Sequence, residues 1–432
     1  MKTRDLYKKI VSESIRNKIA SIPAFQTWRN RQLVKDGEHL AKGRAPDGTI
    51  HVALMETRRG FWLNHASIYE AMRSDSAFDV QVLVVPKRSP GGDLDWVEYQ
   101  KLVELFGNEA IPCHCAYDLE ARKWNNPLEF GVPDVVFLST PYEEQYNFMY
   151  GSSYLSHFSK VAILPYGFSM LDLFYHAPCL KNCQFIFCEN ETLRDLFAPE
   201  YASRLVVAGH PSFDPYLHPL EDAQRVTFKS SQAKRRIVWA PHFTVAAGVT
   251  THQCSNFFAY YELFIQLARE HPELEIVMRP HPELFKFMVD SGMKTASEAV
   301  EYRARFETLP NAVIYEGADY ISLFRQSDAI LLDSLSFIAA CAPAEKPVCF
   351  LEGAKRTRVN SIGERLLHSY YAAWDVDEIR EFIDRVVLGG DDYKKAERDA
   401  AVKKLLFIPP EGAGTRIARE IKARLGKIKG KV

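Results

Sequence analysis

The feature that most constrains the fold of this chain is an alternation of short apolar runs with longer amphipathic stretches, which occurs twice. The first series begins at 51–55 and ends at 205–208, and the second begins at 237–239 and ends at 348–351. Strands separated by helices need crossover connections, which join parallel strands. The runs are rich in β-branched and aromatic residues, as expected of strands buried on both faces. The sequence therefore predicts an α/β fold with two parallel sheets.

The length of 432 residues is more than one hydrophobic core usually organises, so the two series predict two domains. The polar and charged stretch 215–235 is the predicted linker between them. We predict Rossmann-like domains over 46–220 and 235–395 that face each other across a cleft, with basic helical segments at 1–45 and 396–432. In sheets of this kind, ligands bind outside the carboxyl ends of the strands.

Charge is spread unevenly along the chain. The net charge of −1 argues against a nucleic-acid partner. Residues 1–44, however, carry eleven Lys and Arg against four Asp and Glu, with helix-compatible apolar residues at Leu6, Ile10, Ile15 and Ile19. A basic amphipathic helix either lies on an anionic membrane surface or packs its apolar side on the protein, and both interpretations stay open for the two ends.

Neither a membrane-spanning apolar run nor a signal peptide is recognisable in the sequence. We therefore expect a cytoplasmic protein, with peripheral contact at the inner face of the cell membrane as a further hypothesis that rests on the basic ends.

The eight cysteines are scattered, and some, such as Cys188, stand inside apolar runs where a thiol behaves as a small core residue. The triplet Cys113-His114-Cys115 has no second pair at the spacing of a zinc site. We expect reduced cysteines, no metal site and no cofactor.

Charged and aromatic side chains follow two strands of the second series. The segment 278–282 (Met-Arg-Pro-His-Pro) comes directly after a strand, and its two prolines hold His281 in a rigid extended turn. His242 likewise follows a strand. Arginine offers a planar fork of donors and histidine a neutral or charged donor, which suits a pyrophosphate. We predict that Arg279 and His242 bind this group and that His281 is catalytic. The alternative is an exposed turn with a surface arginine.

A third strand end carries Glu316 and Gly317. Glycine permits a close approach of the backbone to a ligand, and the glutamate can accept hydrogen bonds from a ribose or a base. We predict that both residues bind the donor. The alternative is that this segment only begins a helix, with Asp319 as its N-cap.

A fourth strand runs directly into Asp333, Ser334 and Ser336, with a helix predicted over 336–342. Free N–H groups at the start of a helix, together with two hydroxyls, make such a turn a predicted anion site. We predict that all three residues bind the donor. Alternatively, Ser336 serves only as the helix cap.

Together these segments resemble the CDP-glycerol glycerophosphotransferases, which build teichoic-acid and some capsule polymers. The resemblance covers roughly residues 160–355 and keeps the order of the family's motifs. Gly-His-Pro-Ser-Phe-Asp at 209–214 looks like the family's Gly-x-Pro-Arg-x-Asp, Ala-Pro-His-Phe at 240–243 like Ala-Pro-Thr-(Phe/Tyr), and Arg-Pro-His-Pro at 279–282 like Arg-x-His-Pro. Residues 328–337 look like Asp-x-x-x-x-Asp-Tyr-Ser-Ser, and Lys-Pro-Val at 346–348 like Lys-Pro-(Ile/Val). The resemblance implies a GT-B-type fold, with two Rossmann-like halves and a nucleotide-diphosphate-linked donor held mainly by the C-terminal half.

The chain departs from the family pattern at three positions. Tyr166 stands where the family carries the His of a His-Gly-Thr segment, a candidate catalytic base. Ser212 replaces the Arg of the first motif, and Leu335 interrupts the Ser-Ser pair. A phenol stays protonated near neutral pH, so a different group is expected to activate the acceptor hydroxyl.

Glu56 and His65, which follow the first strand, are the predicted candidates for that catalytic role. The alternatives are an ion pair of Glu56 with one of the two arginines that follow it, and a position on a helix face for His65. In the same segment, Phe61 and Trp62 either stack a sugar ring or cover the core.

The sequence therefore predicts a transferase that moves a glycosyl or polyol-phosphate group from a nucleotide-activated donor, such as CDP-glycerol, to a cell-surface polysaccharide or lipid-linked acceptor. One alternative is a nucleotide-sugar epimerase or hydrolase of the same fold, which would need paired acid and base carboxylates in the cleft. A non-catalytic nucleotide-binding protein is the other alternative, consistent with the replaced histidine.

Overall fold

The computed structural model of the protein describes residues 23–41, 48–88, 92–222, 225–245, 255–317, 319–353 and 357–429. The first 22 residues of the predicted basic leader, with the four apolar positions named above, lie outside these ranges. No helix in the described ranges is long and apolar enough to cross a membrane.

The first half contains a sheet of seven parallel strands in the order β3-β2-β1-β6-β7-β8-β9. A two-residue antiparallel hairpin, β4–β5, lies outside this sheet. The strands are β1 (Ile50–Glu56), β2 (Phe78–Val84), β3 (Cys113–Cys115), β4 (Tyr117–Asp118), β5 (Lys123–Trp124), β6 (Val135–Leu138), β7 (Lys160–Ile163), β8 (Cys183–Cys188) and β9 (Leu205–Val207).

The second half contains six parallel strands in the order β12-β11-β10-β13-β14-β15. They are β10 (Arg235–Ala240), β11 (Leu274–Met278), β12 (Ala312–Ile314), β13 (Ala329–Leu332), β14 (Val348–Leu351) and β15 (Tyr371–Ala373). In both sheets the strand order runs outward from the first strand in two directions, which is the doubly wound arrangement. The prediction of two parallel α/β sheets is confirmed.

Helices connect the strands and flank the sheets. They are α1 (Pro23–Ala41), α2 (Ala66–Arg73), α3 (Trp96–Asn108), α4 (Ser152–Leu155), α5 (Glu191–Arg194), α6 (Phe257–Glu270), α7 (Leu284–Asp290), α8 (Ala296–Glu307), α9 (Tyr320–Arg325), α10 (Phe337–Ala340), α11 (Ser361–Ser369), α12 (Val376–Glu381), α13 (Lys395–Leu405) and α14 (Ala413–Lys429).

The segment 396–432, predicted as a basic tail, contains most of α13 and all of α14, and α14 returns to the first half. Its Ile417 and Ile421 are buried in one cluster with Ile68 and Met72 of α2. The carboxylate of Asp214 accepts hydrogen bonds from the backbone N–H groups of Ala413 (2.7 Å) and Gly414 (2.8 Å) at the start of α14. For the described part of this segment, the structure thus supports packing on the protein as the role of the apolar side.

The carboxyl edges of the two sheets face each other. Arg58, two residues beyond β1, forms an ion pair of 3.3 Å with Glu283, five residues beyond β11. Each sheet changes direction next to its first strand, between β1 and β6 in one half and between β10 and β13 in the other. Such reversal points open a crevice at the strand ends, one in each half.

Candidate functional site

Asp333 holds together the loops of the second crevice through hydrogen bonds. It follows β13 directly, and its carboxylate accepts hydrogen bonds from the backbone N–H of His242 (2.7 Å), the hydroxyl of Ser255 (3.0 Å) and the backbone N–H of Asn256 (2.7 Å). Burial raises the pKa of Asp333 to about 7, although these hydrogen bonds lower it. Asp333 was predicted to bind a ligand, and the structure gives it a positioning role because both carboxylate oxygens are occupied by the chain.

Arg279 directly follows β11, and its guanidinium has few polar partners. Its side chain is buried, with 8% of the residue exposed. One terminal nitrogen donates to the carbonyl of Pro280 at 2.6 Å, and the Nε has no hydrogen-bond partner. Among the described residues, no carboxylate forms an ion pair with Arg279, and burial lowers its pKa. The charge of Glu316 raises the pKa of Arg279 and offsets part of this effect, but Glu316 does not form an ion pair with it. A buried guanidinium without an ion-pair partner is costly, so an anion at this position would stabilise it.

His281 is a neutral hydrogen-bond donor in this setting. Its backbone N–H donates to the carbonyl of Pro241 at 3.0 Å, which ties its turn to the loop after β10. The ring Nδ1 accepts the backbone N–H of Glu283 at 3.1 Å, so the proton of the neutral ring is on Nε2. Burial, with the electrostatic effect of neighbouring basic groups such as His242 and Arg58, holds the pKa of His281 well below its ordinary value.

His242 lies beside His281, with 4.9 Å between the ring centroids. Its Nδ1 is 2.9 Å from the hydroxyl of Thr244, and Phe243 contacts both imidazoles, at 4.6 Å and 4.5 Å between ring centroids. The structure therefore brings together three predicted residues, His242, Arg279 and His281. Their two imidazoles and one guanidinium can donate hydrogen bonds to a polyanion.

The segment after β12 differs from the prediction in detail. Glu316 is exposed, and Arg303 holds its carboxylate in a bidentate pair of 2.8 and 3.0 Å. At Gly317 a Cβ would lie 2.5 Å from the ring of Tyr315, so packing against that ring is sufficient reason for glycine here. Asp319 accepts a hydrogen bond from the backbone N–H of Ser322 and caps α9, as expected of this residue. The cap is compatible with donor binding, so the roles of Glu316 and Gly317 stay predictions.

The serines after β13 flank a short helix. Ser334 is buried, whereas Ser336 is exposed. Ser336 is the N-cap residue of α10, but its side chain makes no capping hydrogen bond, so the alternative of a purely capping hydroxyl is wrong. The helix spans four residues instead of the seven predicted, because a 3-10 turn begins at Ala342. Its contribution to anion binding is therefore small compared with that of the charged side chains.

Glu56 and His65 form a buried pair in the first half. Glu56 ends β1, and its Oε1 is 2.6 Å from Nδ1 of His65. Burial raises the pKa of Glu56 even though His65 lowers it. The two residues are 0% and 2% exposed, so neither presents an atom to a ligand in the crevice. The structure therefore does not support Glu56 or His65 as a base in direct contact with an acceptor. The alternative, an ion pair of Glu56 with Arg58 or Arg59, is not formed either. Arg58 pairs with Glu283 and Arg59 with Glu98.

Two cations of the first half were missed. Arg58 forms the ion pair with Glu283 described above. Lys87, three residues beyond β2, is half-buried and forms no ion pair with a described residue. Burial and the charge of Arg58 lower the pKa of Lys87 to about 8. The strand-end rule that indicated Arg279 would also have indicated Lys87, which follows Val84-Val85-Pro86 in the sequence.

Cys113, His114 and Cys115 form β3 at the edge of the first sheet, and both cysteines are free. Within the ranges that the structure describes, no group of three His, Cys, Asp or Glu side chains is placed to hold a metal ion.

No protein-family model and no curated protein matches the chain. Among solved structures, a variant of the wall teichoic acid polymerase TagF matches with a TM-score of 0.57 and 13% identity, over 94% of this chain and 98% of that chain. The UDP-GlcNAc 2-epimerase from Neisseria meningitidis bound to UDP-GlcNAc matches with a TM-score of 0.55 and 14% identity, over 88% and 100% of the two chains. The S. aureus MnaA–UDP complex matches with a TM-score of 0.56 and 12% identity, over 88% and 97%. These similarities confirm the predicted GT-B-type fold.

Proposed function

We propose that the protein is a transferase that moves a glycosyl or polyol-phosphate group from a nucleotide-activated, CDP-glycerol-like donor to a polysaccharide or lipid-linked acceptor. The observation that supports the proposal is Arg279, a buried guanidinium at a strand end that forms no ion pair with a described residue, although the charge of Glu316 acts on it. The donor diphosphate supplies that charge. Arg279 lies outside the carboxyl end of β11, which is where ligands of doubly wound sheets bind.

The proposed mechanism uses donors that are already in place. Arg279 and the Nε2–H of His281 hold the diphosphate in the ground state and stabilise the negative charge that grows on the leaving nucleotide. The ring of His242 contacts that of His281, with 4.9 Å between centroids, and adds a further hydrogen-bond donor. The exposed hydroxyl of Ser336 and the carboxylate of Glu316 are the remaining proposed donor contacts. The acceptor approaches from the first half, at the inner face of the cell membrane.

A nucleotide-sugar epimerase is the second candidate, because the structural similarities include UDP-GlcNAc 2-epimerases as well as a polymerase. Reversible epimerisation needs acid and base groups that reach the sugar. Glu56, the carboxylate considered for such a role, is fully buried against His65. This burial removes Glu56 as a direct acid or base for epimerisation, as it does for activation of an acceptor by the transferase.

The test is a thermal-shift screen with CDP-glycerol, CDP-ribitol, CMP-sugars and UDP-sugars, followed by turnover of whichever ligand stabilises the protein. Stabilisation and transfer that needs an added acceptor oligosaccharide support the proposal. Nucleotide release without acceptor indicates the epimerase or hydrolase, and binding without turnover indicates a non-catalytic nucleotide-binding protein. If no nucleotide stabilises the chain, the proposal is wrong.

A further inference from the structure

Four neighbouring strands of the first sheet end in a row of cationic and aromatic side chains. The strand order β2-β1-β6-β7 places the following loops side by side. Lys87 follows β2, Arg58 and Phe61 follow β1, Tyr142 follows β6, and Tyr166 follows β7. We call these five residues the edge strip. Lys87 and Arg58 form its cationic end, and Phe61, Tyr142 and Tyr166 form its aromatic end.

The aromatic end is a surface of three rings. Phe61 and Tyr166 are 5.2 Å apart between ring centroids, Tyr142 and Tyr166 are 5.7 Å apart, and the two tyrosine hydroxyls are 3.3 Å apart. Tyr166 is 38% exposed. The neighbouring Trp62 behaves differently, since it packs edge-on against buried Phe106 at 4.9 Å. The three rings therefore offer apolar faces beside phenolic hydroxyls.

The cationic end adjoins these rings and reaches the second half. The backbone N–H of Arg88 donates to the carbonyl of Gln145 at 3.0 Å, which fixes the Lys87 segment against the loop that carries Tyr142. Arg58 is engaged by Glu283 across the cleft, whereas the ammonium of Lys87 has no ion-pair partner among the described residues. The charges of Glu283, Asp95 and Glu144 act on Lys87, but none of these carboxylates forms an ion pair with it. Lys87 is thus the cation of the edge strip that can pair with a ligand.

We propose that the edge strip is the acceptor subsite and that it binds a sugar ring carrying an anionic group. The C–H face of the sugar lies on the rings of Phe61, Tyr142 and Tyr166, and the anionic group pairs with Lys87. Rings with a polar edge suit a ligand that is apolar on one face and hydroxylated around it. The inference rests on the proposed function, because the donor diphosphate is assigned to Arg279 and His281 on the other side of the cleft.

The test is a ligand-observed NMR titration of the full chain with glucose 1-phosphate, galactose 1-phosphate, N-acetylglucosamine 1-phosphate and glucuronic acid. Glucose and inorganic phosphate are the controls. We expect at least one charged sugar to bind at least tenfold more tightly than either control. Lys87→Met should weaken the charged sugar about tenfold and leave glucose unchanged, whereas Tyr166→Ala should weaken both. Matched surface variants, Lys395→Met and Tyr393→Ala, should change neither.

Two outcomes overturn the inference: none of the charged sugars binds, or binding survives in both Lys87→Met and Tyr166→Ala. Tyr142→Ala provides a second variant of the ring surface if Tyr166→Ala does not fold. Arg279→Met separates this test from that of the donor site, because it should abolish stabilisation by nucleotides and leave sugar-phosphate binding intact. If Arg279→Met loses both stabilisation by nucleotides and binding of sugar phosphates, the sugar phosphate binds in the donor site and the proposed acceptor subsite is wrong.

Discussion

Replacing Arg279 with methionine should separate ligand binding from stability, because the two effects have opposite signs. In the unliganded protein, the substitution removes a buried charge that forms no ion pair with a described residue, which relieves a desolvation cost of several kcal/mol, offset in part by the lost attraction to Glu316. It also removes the hydrogen bond to the carbonyl of Pro280, at a cost of about 1 kcal/mol. We therefore expect the free energy of unfolding without ligand to stay within about 1 kcal/mol of wild type or to rise.

With nucleotide present the sign reverses. Two charge-assisted hydrogen bonds from the guanidinium to a diphosphate are together worth about 3 kcal/mol, which is roughly a hundredfold in affinity. Nucleotide should therefore stabilise Arg279→Met much less than wild type. Arg305→Met is the matched control, since Arg305 forms only an exposed pair with Glu262 and should change either quantity by less than about 0.5 kcal/mol.

The assay is chemical denaturation with and without the stabilising nucleotide, supported by calorimetric titration. The reasoning is refuted if Arg279→Met is strongly destabilised without ligand and still binds nucleotide as wild type does. That result would mean that the guanidinium is a structural group satisfied by the chain itself.

Three other substitutions test the remaining parts of the site. His281→Ala should abolish transfer and leave the melting temperature unchanged, and wild-type turnover in that variant would remove His281 from the mechanism. Burial raises the pKa of Asp333 from its ordinary value of 3.8 to about 7, so the folded state binds this proton more tightly than the unfolded state does. The free energy of unfolding of the wild type should therefore fall between pH 4 and 7, by up to about 1.4 kcal/mol per pH unit more than that of Asp333→Asn. If urea denaturation shows the same pH dependence of this free energy for both proteins, the assignment is contradicted. Gly317→Ala should lower the free energy of unfolding by about 1–3 kcal/mol through collision with Tyr315, whereas Gly60→Ala, where nothing lies within 4 Å, should be nearly neutral in the same measurement.

The architecture and the second crevice could be predicted because both follow from local patterns. Alternating strand and helix runs fix parallel connections, and parallel strands place all carboxyl ends at one edge. That rule alone indicated His242, Arg279 and His281, which the structure brings together. The short edge strands β3 and β15 were not predicted, since each has only three residues and neither contains a β-branched residue.

The first crevice was harder to predict because its residues depend on burial that the sequence does not reveal. Glu56 is the last residue of β1, and the sequence cannot show that its carboxylate turns inward to meet His65 nine positions later. Likewise, nothing local indicates that Arg58 pairs with Glu283, 225 positions away. The close neighbour of Gly317, the ring of Tyr315, could not be read from the sequence either, and it gives a reason for glycine that does not involve a ligand.

The return of α14 to the first half has a consequence for the order in which the protein forms during synthesis. Ile417, Ile421 and Leu425 complete the hydrophobic cluster under α2, and Asp214 finds its backbone partners only at positions 413 and 414. The first sheet leaves the ribosome long before these residues do. Until residues 413–425 have been translated, Ile68 and Met72 lack the packing partners that α14 provides. The core of the first half is therefore completed only after the second half has been synthesised.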